Sequence, residues 1–457
     1  MDLQTIRKTI SGKGDKNLGE LVKGGMFAFG YRLITMVVSY ALVIVISRKL
    51  GKEGIGIWNL CIATLNIWVM IGCFGFNTSI VRFVSQYRAK NWHATVRTLY
   101  RVIFRYSTLG GVVLGSILFF SSEFLATYYF KDPAMNMPMK ITGVIVPLVV
   151  LSTINVEFIR GMKRIQISEF FRTLVLQLTA LIGTVILSYY SLTAEDPLLA
   201  YALGAFLALV GTTIFIHKYL RKSIRSGQEP TEAEPLFSFK SHLMISLPMI
   251  MTSFIQLLNG RVDILMLGYF SDTGVAGVFG MAFKLSIITN FVIGAMKAIA
   301  MPKISELFWS DKKGELKKVV HFSTLFIFAF AFPVSLVLMI FPEFILSLIS
   351  EEFTEGATVL RIFAAMQLIN AGSGMVAVFL NMSGNQLFFT KIVSVTTTLN
   401  IVLNLLLIPH YGMEGAAFAT LISTVTWNIV GVRFIYKKYK ISTFFNPIAL
   451  IRILRRS

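Results

Sequence analysis

Apolar stretches long enough to cross a bilayer occur twelve times in this chain, at approximately 25–47, 55–75, 102–120, 141–159, 171–190, 198–217, 243–267, 275–296, 322–341, 359–382, 389–408 and 415–435. A helix needs about twenty apolar residues to cross the ~30 Å hydrocarbon core. In lipid every backbone polar group must find its partner inside the protein. The expected fold is therefore all-α and integral to the membrane, with about twelve transmembrane helices. Only 14% of the residues are charged and 55% are hydrophobic, whereas a soluble domain carries roughly 25% charged residues. The segment 343–356 holds four glutamates around Leu346, Leu348 and Ile349. Too short and too charged to span, it reads as an amphipathic element lying on one surface.

One pattern occurs twice. Leu50-Gly51-Lys52-Glu53-Gly54-Ile55-Gly56-Ile57-Trp58 follows the first span, and Leu267-Gly268 leads through a short turn to Gly274-Val275-Ala276-Gly277-Val278-Phe279 after the seventh. The copies lie about 220 residues apart, as expected of a duplicated membrane bundle, and duplication of this kind points to a transporter. Near the midpoint, 221–242 is the most polar internal stretch and contains Gly227, Pro230 and Pro235. The expected organisation is a six-helix lobe over 1–220, a cytoplasmic linker over 221–242, and a second six-helix lobe over 243–457 with a basic tail. An even helix count per lobe relates the lobes by a pseudo-twofold along the membrane normal, the arrangement that rocks about a central site.

The net charge of +20 is distributed by side. Arg7, Lys8, Lys13, Lys16 and Lys23, then Arg82 to Arg105, Arg160 to Arg172, Lys218 to Lys240, Lys297 to Lys318 and Arg433 to Arg456 collect on one side. Glu195, Asp196, Asp272, Glu343, Glu351, Glu352 and Glu355 collect on the other, which has little that is basic beyond Arg48, Lys49, Lys52, Lys131, Lys140 and Arg361. The positive-inside bias places both termini in the cytoplasm of a multi-pass plasma (inner) membrane protein. The same bias accounts for the basic balance without nucleic acid, for which there is no recognition motif. The first 24 residues are polar and basic, with no small-residue cleavage site after a short apolar core, so the first span is expected to stay in the mature protein. Cys61 and Cys73 read as buried, reduced thiols, and no spacing suggests a disulfide or a metal.

Several stretches carry a family resemblance: Leu50-Gly51 to Leu60, Gly75-Phe76-Asn77-Thr78-Ser79, Arg160-Gly161-Met162-Lys163-Arg164, Leu247-Pro248, Asp263 to Phe270, Pro302-Lys303-Ile304-Ser305-Glu306-Leu307, and Asn400 through Gly412 to Ala417. In this order the chain resembles the polysaccharide transporter, or oligosaccharide flippase, family (O-antigen flippase-like) of the multidrug/oligosaccharidyl-lipid/polysaccharide exporter superfamily. The resemblance covers roughly Leu21 to Tyr439. It implies a flippase that moves a polyprenyl-(pyro)phosphate-linked oligosaccharide or polysaccharide repeat unit from the cytoplasmic to the outer leaflet without ATP. Membrane lipids, a coupling ion (H+ or Na+) and glycan assembly enzymes are the partners it implies.

Most motif residues have structural readings. Gly51, Gly268 and Gly412 read as turn or helix-terminal glycines, and Asn400 with Asn404, one turn apart, as an interhelical hydrogen-bonding pair. Charges inside spans say more, because a charge at bilayer depth normally faces a cavity or a partner. These are Arg32 in the first span, Arg261 and Asp263 in the seventh, and Lys284 in the eighth. For the substrate the resemblance implies, Arg32, Arg261 and Lys284 are the candidate head-group binders, since guanidinium and ammonium groups replace the hydration a pyrophosphate loses. Asp263 is the candidate for ion coupling, or for pairing with Arg261 or Lys284 to neutralise a buried charge.

The alternatives are a multidrug or amphiphile antiporter of the same superfamily and, in a different class, a membrane glycosyltransferase or polymerase. Three intramembrane cations against one acid favour an anionic head group over a cationic drug. The short outer connections hold no positioned pair of carboxylates, and no G-x-x-x-x-G-K-[ST] loop is present, so neither catalysis nor ATP use is expected. The five histidines, His93, His217, His242, His321 and His410, sit at span ends or in loops with no ligand spacing and read as solvated or interfacial. No metal and no cofactor is expected.

Overall fold

The computed structural model describes residues 16–225, 238–258 and 261–445. Among these residues the secondary structure is helical throughout, with no strand. The helices are α1 (Lys16–Gly72), α2 (Phe76–Ala89), α3 (His93–Phe124), α4 (Asn136–Gly161), α5 (Ile165–Leu187), α6 (Asp196–Arg225), α7 (Phe239–Leu258) and α8 (Val262–Phe270). They continue as α9 (Thr273–Ser286), α10 (Asn290–Trp309), α11 (Lys313–Ile340), α12 (Pro342–Ser347), α13 (Ala357–Ser373), α14 (Val376–Met382) and α15 (Gln386–Tyr439).

The apolar runs fall in these helices, and the chain is a multi-pass, all-α membrane protein. Two helices carry two runs each: α15 has 54 residues, which at ~1.5 Å per residue would reach about 80 Å, far beyond one hydrocarbon core. Its helical dihedrals break at Gly412 (φ 54°, ψ −132°), and those of α1 break at Gly51 (φ 67°, ψ −164°). A positive φ of this kind is accessible to glycine without a Cβ clash, so both glycines reverse the chain between spans as turn residues. Gly268 differs: it is buried inside α8, whose chain turns only at Ser271.

The chain divides into two compact units, one formed by Met1–Leu50 with Cys61–Phe254, the other by Gly51–Leu60 with Ile255–Ser457. In the first unit α3 and α4 pack through small residues. A Cβ on Gly115 would stand 2.5 Å from the carbonyl oxygen of Gly143, and one on Gly143 2.8 Å from that of Gly115. Close backbone approach of this sort replaces the hydrophobic drive that lipid cannot supply. Polar side chains add interhelical ties: Tyr100 donates to Asn155 Oδ1 at 2.9 Å, and Asn155 Nδ2 donates to Thr213 at 2.9 Å and Thr212 at 3.1 Å, linking α3, α4 and α6. Ser79 and Ser246 share a 2.6 Å hydrogen bond between α2 and α7.

The second unit centres on Ile304, Val320, Ile327, Ala371, Val376, Phe379 and Ile435, drawn from α10, α11, α13, α14 and α15. Asp272 caps α9, its Oδ1 accepting from the Val275 amide at 2.8 Å, one of the orphan donors at a helix start. At the chain reversal after Leu50, Glu352 accepts from the Lys52 amide and Glu355 from the Lys52 ammonium, both at 2.9 Å. The 343–356 segment forms the short helix α12 and a 3-10 turn over Glu351–Gly356, anchored by buried Leu346 and Phe353.

Both cysteines are free and buried, as the sequence indicated. Two histidines are not solvated as expected. His242 is buried with Nε2 2.6 Å from the Tyr87 hydroxyl and Nδ1 2.6 Å from the Ser238 carbonyl. His321 is buried with Nδ1 2.8 Å from the Lys317 carbonyl. Each uses the carbonyl one turn earlier in its own helix, so a ring at a helix end is satisfied without water.

Candidate functional site

The seventh apolar run is not one regular helix: α8 begins at Val262, with Arg261 outside helical geometry at its N-cap (φ −133°) and Asp263 in its first turn. The dipeptide before Arg261, Asn259-Gly260, is a turn signal that a hydropathy window averages away. Residues 259 and 260 lie outside the described set. Interrupted helices at membrane depth are where transporter sites form, because the freed backbone and helix ends line a cavity.

Asp263 is buried, and both its carboxylate oxygens are engaged by neutral donors from α15. Asn404 Nδ2 donates to Oδ1 at 2.5 Å, and the Thr420 hydroxyl lies 2.8 Å from Oδ2. Asn400 completes the set, its Oδ1 accepting from Asn404 Nδ2 at 3.2 Å and its Nδ2 lying 3.5 Å from Thr420 Oγ1. Asn400 and Asn404 are thus the interhelical pair their spacing suggests. Among the described residues no cation reaches ion-pair distance of Asp263, so the alternative in which Arg261 or Lys284 neutralises it is not what the packing provides.

The Asn404 Oδ1 oxygen is buried and has no hydrogen-bond partner among the described residues. A buried orphan acceptor normally costs about 1–3 kcal/mol. The Asn404 amide nitrogen, the Asp263 carboxylate, the Thr420 hydroxyl and the Ala416 carbonyl 3.0 Å from that hydroxyl form one polar cluster between α8 and α15. Carboxylate, amide, hydroxyl and carbonyl oxygens are the ligand types a small hard cation takes.

Arg261 and Lys284 are half-buried, and their like charges on α8 and α9 lie close enough to repel. Asp263 turns into α15, whereas Arg261, at the non-helical N-cap, makes no ion pair with it. The structure therefore separates the candidate ion-coupling carboxylate from the candidate head-group cations. Arg32 lies in α1, and its side chain falls outside the described residues. Thr420 and Ala416, a turn apart on α15, were not legible as site residues, since their meaning comes only from facing Asp263.

The chain matches the family described as polysaccharide biosynthesis protein over residues 21–308, and the MatE family over 248–406. It is 21% identical over 308 residues to stage V sporulation protein B of Bacillus subtilis, a match spanning 62% of this chain and 58% of that relative's length. It is 21% identical over 383 residues to a probable low-salt glycan biosynthesis flippase of Haloferax volcanii, spanning 82% of this chain and 75% of the relative. Among solved structures, the lipid II flippase MurJ in an inward closed conformation is similar with a TM-score of 0.70 at 13% identity, over 93% of this chain and 89% of that one. An inward-facing multidrug resistance MATE family transporter is similar with a TM-score of 0.66 at 12% identity, over 89% and 94%.

Proposed function

We propose, since this chain belongs to the polysaccharide biosynthesis protein family, that it is a flippase for a polyprenyl-(pyro)phosphate-linked oligosaccharide or polysaccharide repeat unit. It moves the head group from the cytoplasmic to the outer leaflet by alternating access, as a transporter rather than an enzyme, in the plasma membrane with both termini cytoplasmic. The observation that carries the reading is the cation pair Arg261 and Lys284 beside the break at the start of α8. A guanidinium placed there replaces phosphate hydration through paired, charge-assisted hydrogen bonds. The prenyl chain stays in lipid throughout, so only the polar head needs a protein path. Arg32 is assigned to the same task on the first span.

Asp263 takes the coupling role. Its carboxylate, the orphan Asn404 Oδ1, Thr420 and the Ala416 carbonyl would hold Na+, and protonation of the same carboxylate would serve H+. A cation there neutralises a charge that membrane depth makes costly. Ion binding then biases the packing of α8 against α15, next to the residues assigned to the head group.

The second reading is multidrug or amphiphile antiport, supported by the MatE match and the MATE-like fold. Expression in a host lacking its own glycan flippase separates the two. Restored surface glycan with no gain in resistance to cationic dyes and drugs supports the flippase; drug resistance without restored glycan would reverse the assignment.

A further inference from the structure

We infer that the basic ends of α3 and α6 form a second, separate site, one that binds the phosphate group of an anionic membrane lipid. A cavity of about 240 Å³ opens there, lined by Arg97, Tyr100 and Arg101 from α3 and by His217, Leu220 and Arg221 from α6. At ~30 Å³ per water it holds the equivalent of roughly eight waters, room for a phosphodiester and its residual hydration.

The chemistry of the walls is one-sided. Arg97 and Arg101 are one turn apart on α3, and His217 and Arg221 are one turn apart on α6, so each pair shares a helix face. The floor is apolar and fixed: Leu220 is buried, and Tyr100 is buried with its hydroxyl committed to Asn155. Nearby acids are already claimed. Glu157 accepts from Arg160 and Arg172, and Glu169 is held by Arg172. Among the described residues none of the three cavity arginines has a carboxylate partner. Three guanidiniums round one cavity, with no carboxylate partner among the described residues, form a ready phosphate cradle, because their rigid forks match phosphate oxygens.

A second observation points to a lipid as the source. Leu203, Leu207, Val210 and Ile214 are exposed and follow the same α6 face that ends in His217 and Arg221. The run from Val210 to Arg221 is about 16 Å long, close to half of a ~30 Å hydrocarbon core. An acyl chain laid along that stripe brings its head group to the arginines. Free phosphate shares the head-group chemistry but gains nothing from the stripe.

The test uses the full-length protein in neutral detergent, with binding read by native mass spectrometry and by the thermal unfolding midpoint. Probes are phosphatidylglycerol, diacylglycerol as the phosphate-free lipid, and inorganic phosphate. Variants are Arg97→Gln/Arg101→Gln/Arg221→Gln, the corresponding triple Lys variant, and Lys317→Gln/Lys318→Gln/Lys437→Gln, which removes equal charge elsewhere. Phosphatidylglycerol should bind and stabilise the wild type, with affinity at least about tenfold weaker in the triple Gln variant. Affinity should be intermediate in the triple Lys variant and unchanged in the distant-lysine control. Equal stabilisation by inorganic phosphate would keep the site and overturn the lipid source. Equal binding of diacylglycerol, equal loss in the distant-lysine control, or undiminished binding by a folded triple Gln variant would overturn the site.

Discussion

The backbone of Gly277 on α9 presses against that of Gly56 on α1, within the second unit: a Cβ on Gly56 would stand 1.7 Å from the Thr273 carbonyl oxygen, and one on Gly277 2.2 Å from the Lys52 carbonyl oxygen. These glycines belong to the two copies of the repeated pattern, so the duplicated motif packs against itself. A methyl group would meet backbone rather than a side chain that can rotate away. Gly56→Ala and Gly277→Ala are therefore expected to cost about 1–3 kcal/mol or more as overpacking. Gly314→Ala, where nothing lies within 4 Å, should be neutral or slightly stabilising, by at most about 1 kcal/mol in a helix. Unfolding midpoints in detergent check this; matched midpoints for all three variants would show that the close approach does not constrain the fold.

Hydropathy found the helices because a twenty-residue apolar run has few alternatives in lipid. The same averaging hid the break at Arg261, since one or two residues barely change a window sum. The separation of Asp263 from Arg261 was likewise out of reach, because it depends on the helix start at Val262. Asn400 and Asn404 announced themselves by spacing. Thr420, 157 residues from Asp263 in sequence, could not, as nothing local marks which threonine on a long apolar helix meets an acid. His242 and His321 misled for a related reason: proximity to a span end says where a ring lies along the normal, not whether a neighbouring helix covers it.

The oxygen set around Asp263 sets up an ion test. Na+ binding to the native state should stabilise it relative to choline by about 2.7 kcal/mol at a hundredfold excess over Kd, read as a higher unfolding midpoint. Asp263→Asn should abolish the increment, and Thr420→Val and Asn404→Leu should each reduce it. In transport, Asp263→Asn is expected to lower the rate more than the affinity for lipid-linked sugar. Identical midpoints in Na+ and choline for the wild type would remove Na+ and leave H+ as the ion to be assayed.

Stability at acid pH should depend on Glu343. Its carboxyl is held below the usual range, first by a hydrogen bond from its own backbone and then by Arg361, whose Nη2 lies 2.7 Å from Oε1. A folded-state pKa below the unfolded value contributes stability above about 4.3, and that contribution is lost as pH falls through the folded value. Midpoints measured through this acid range should fall less steeply in Glu343→Gln than in the wild type, the difference being small because the pair is exposed. The wild type and the variant should converge once the Glu343 carboxyl is neutral. A steeper acid limb in Glu343→Gln would reverse the sign assigned here.

Replacement of the cations proposed to hold the head group is the most direct test of the transport reading. Arg261 sits at the N-cap of α8 beside Lys284, and Arg32 lies on the first span, so Arg32→Ala and Arg261→Ala should each reduce glycan export by about tenfold or more, the worth of one lost charge-assisted contact. Lysine should restore only part of the loss at either position, because a compact ammonium cannot form the bidentate fork a guanidinium offers phosphate. Lys284→Ala should be milder than Arg261→Ala for the same reason, while Lys284→Arg should retain export. The measurement is complementation of export in a flippase-deficient host, with membrane abundance matched by immunoblot and folding checked by size-exclusion profile. Wild-type export from both alanine variants would detach these cations from the substrate and leave Asp263 and its α15 partners as the functional core of the second unit.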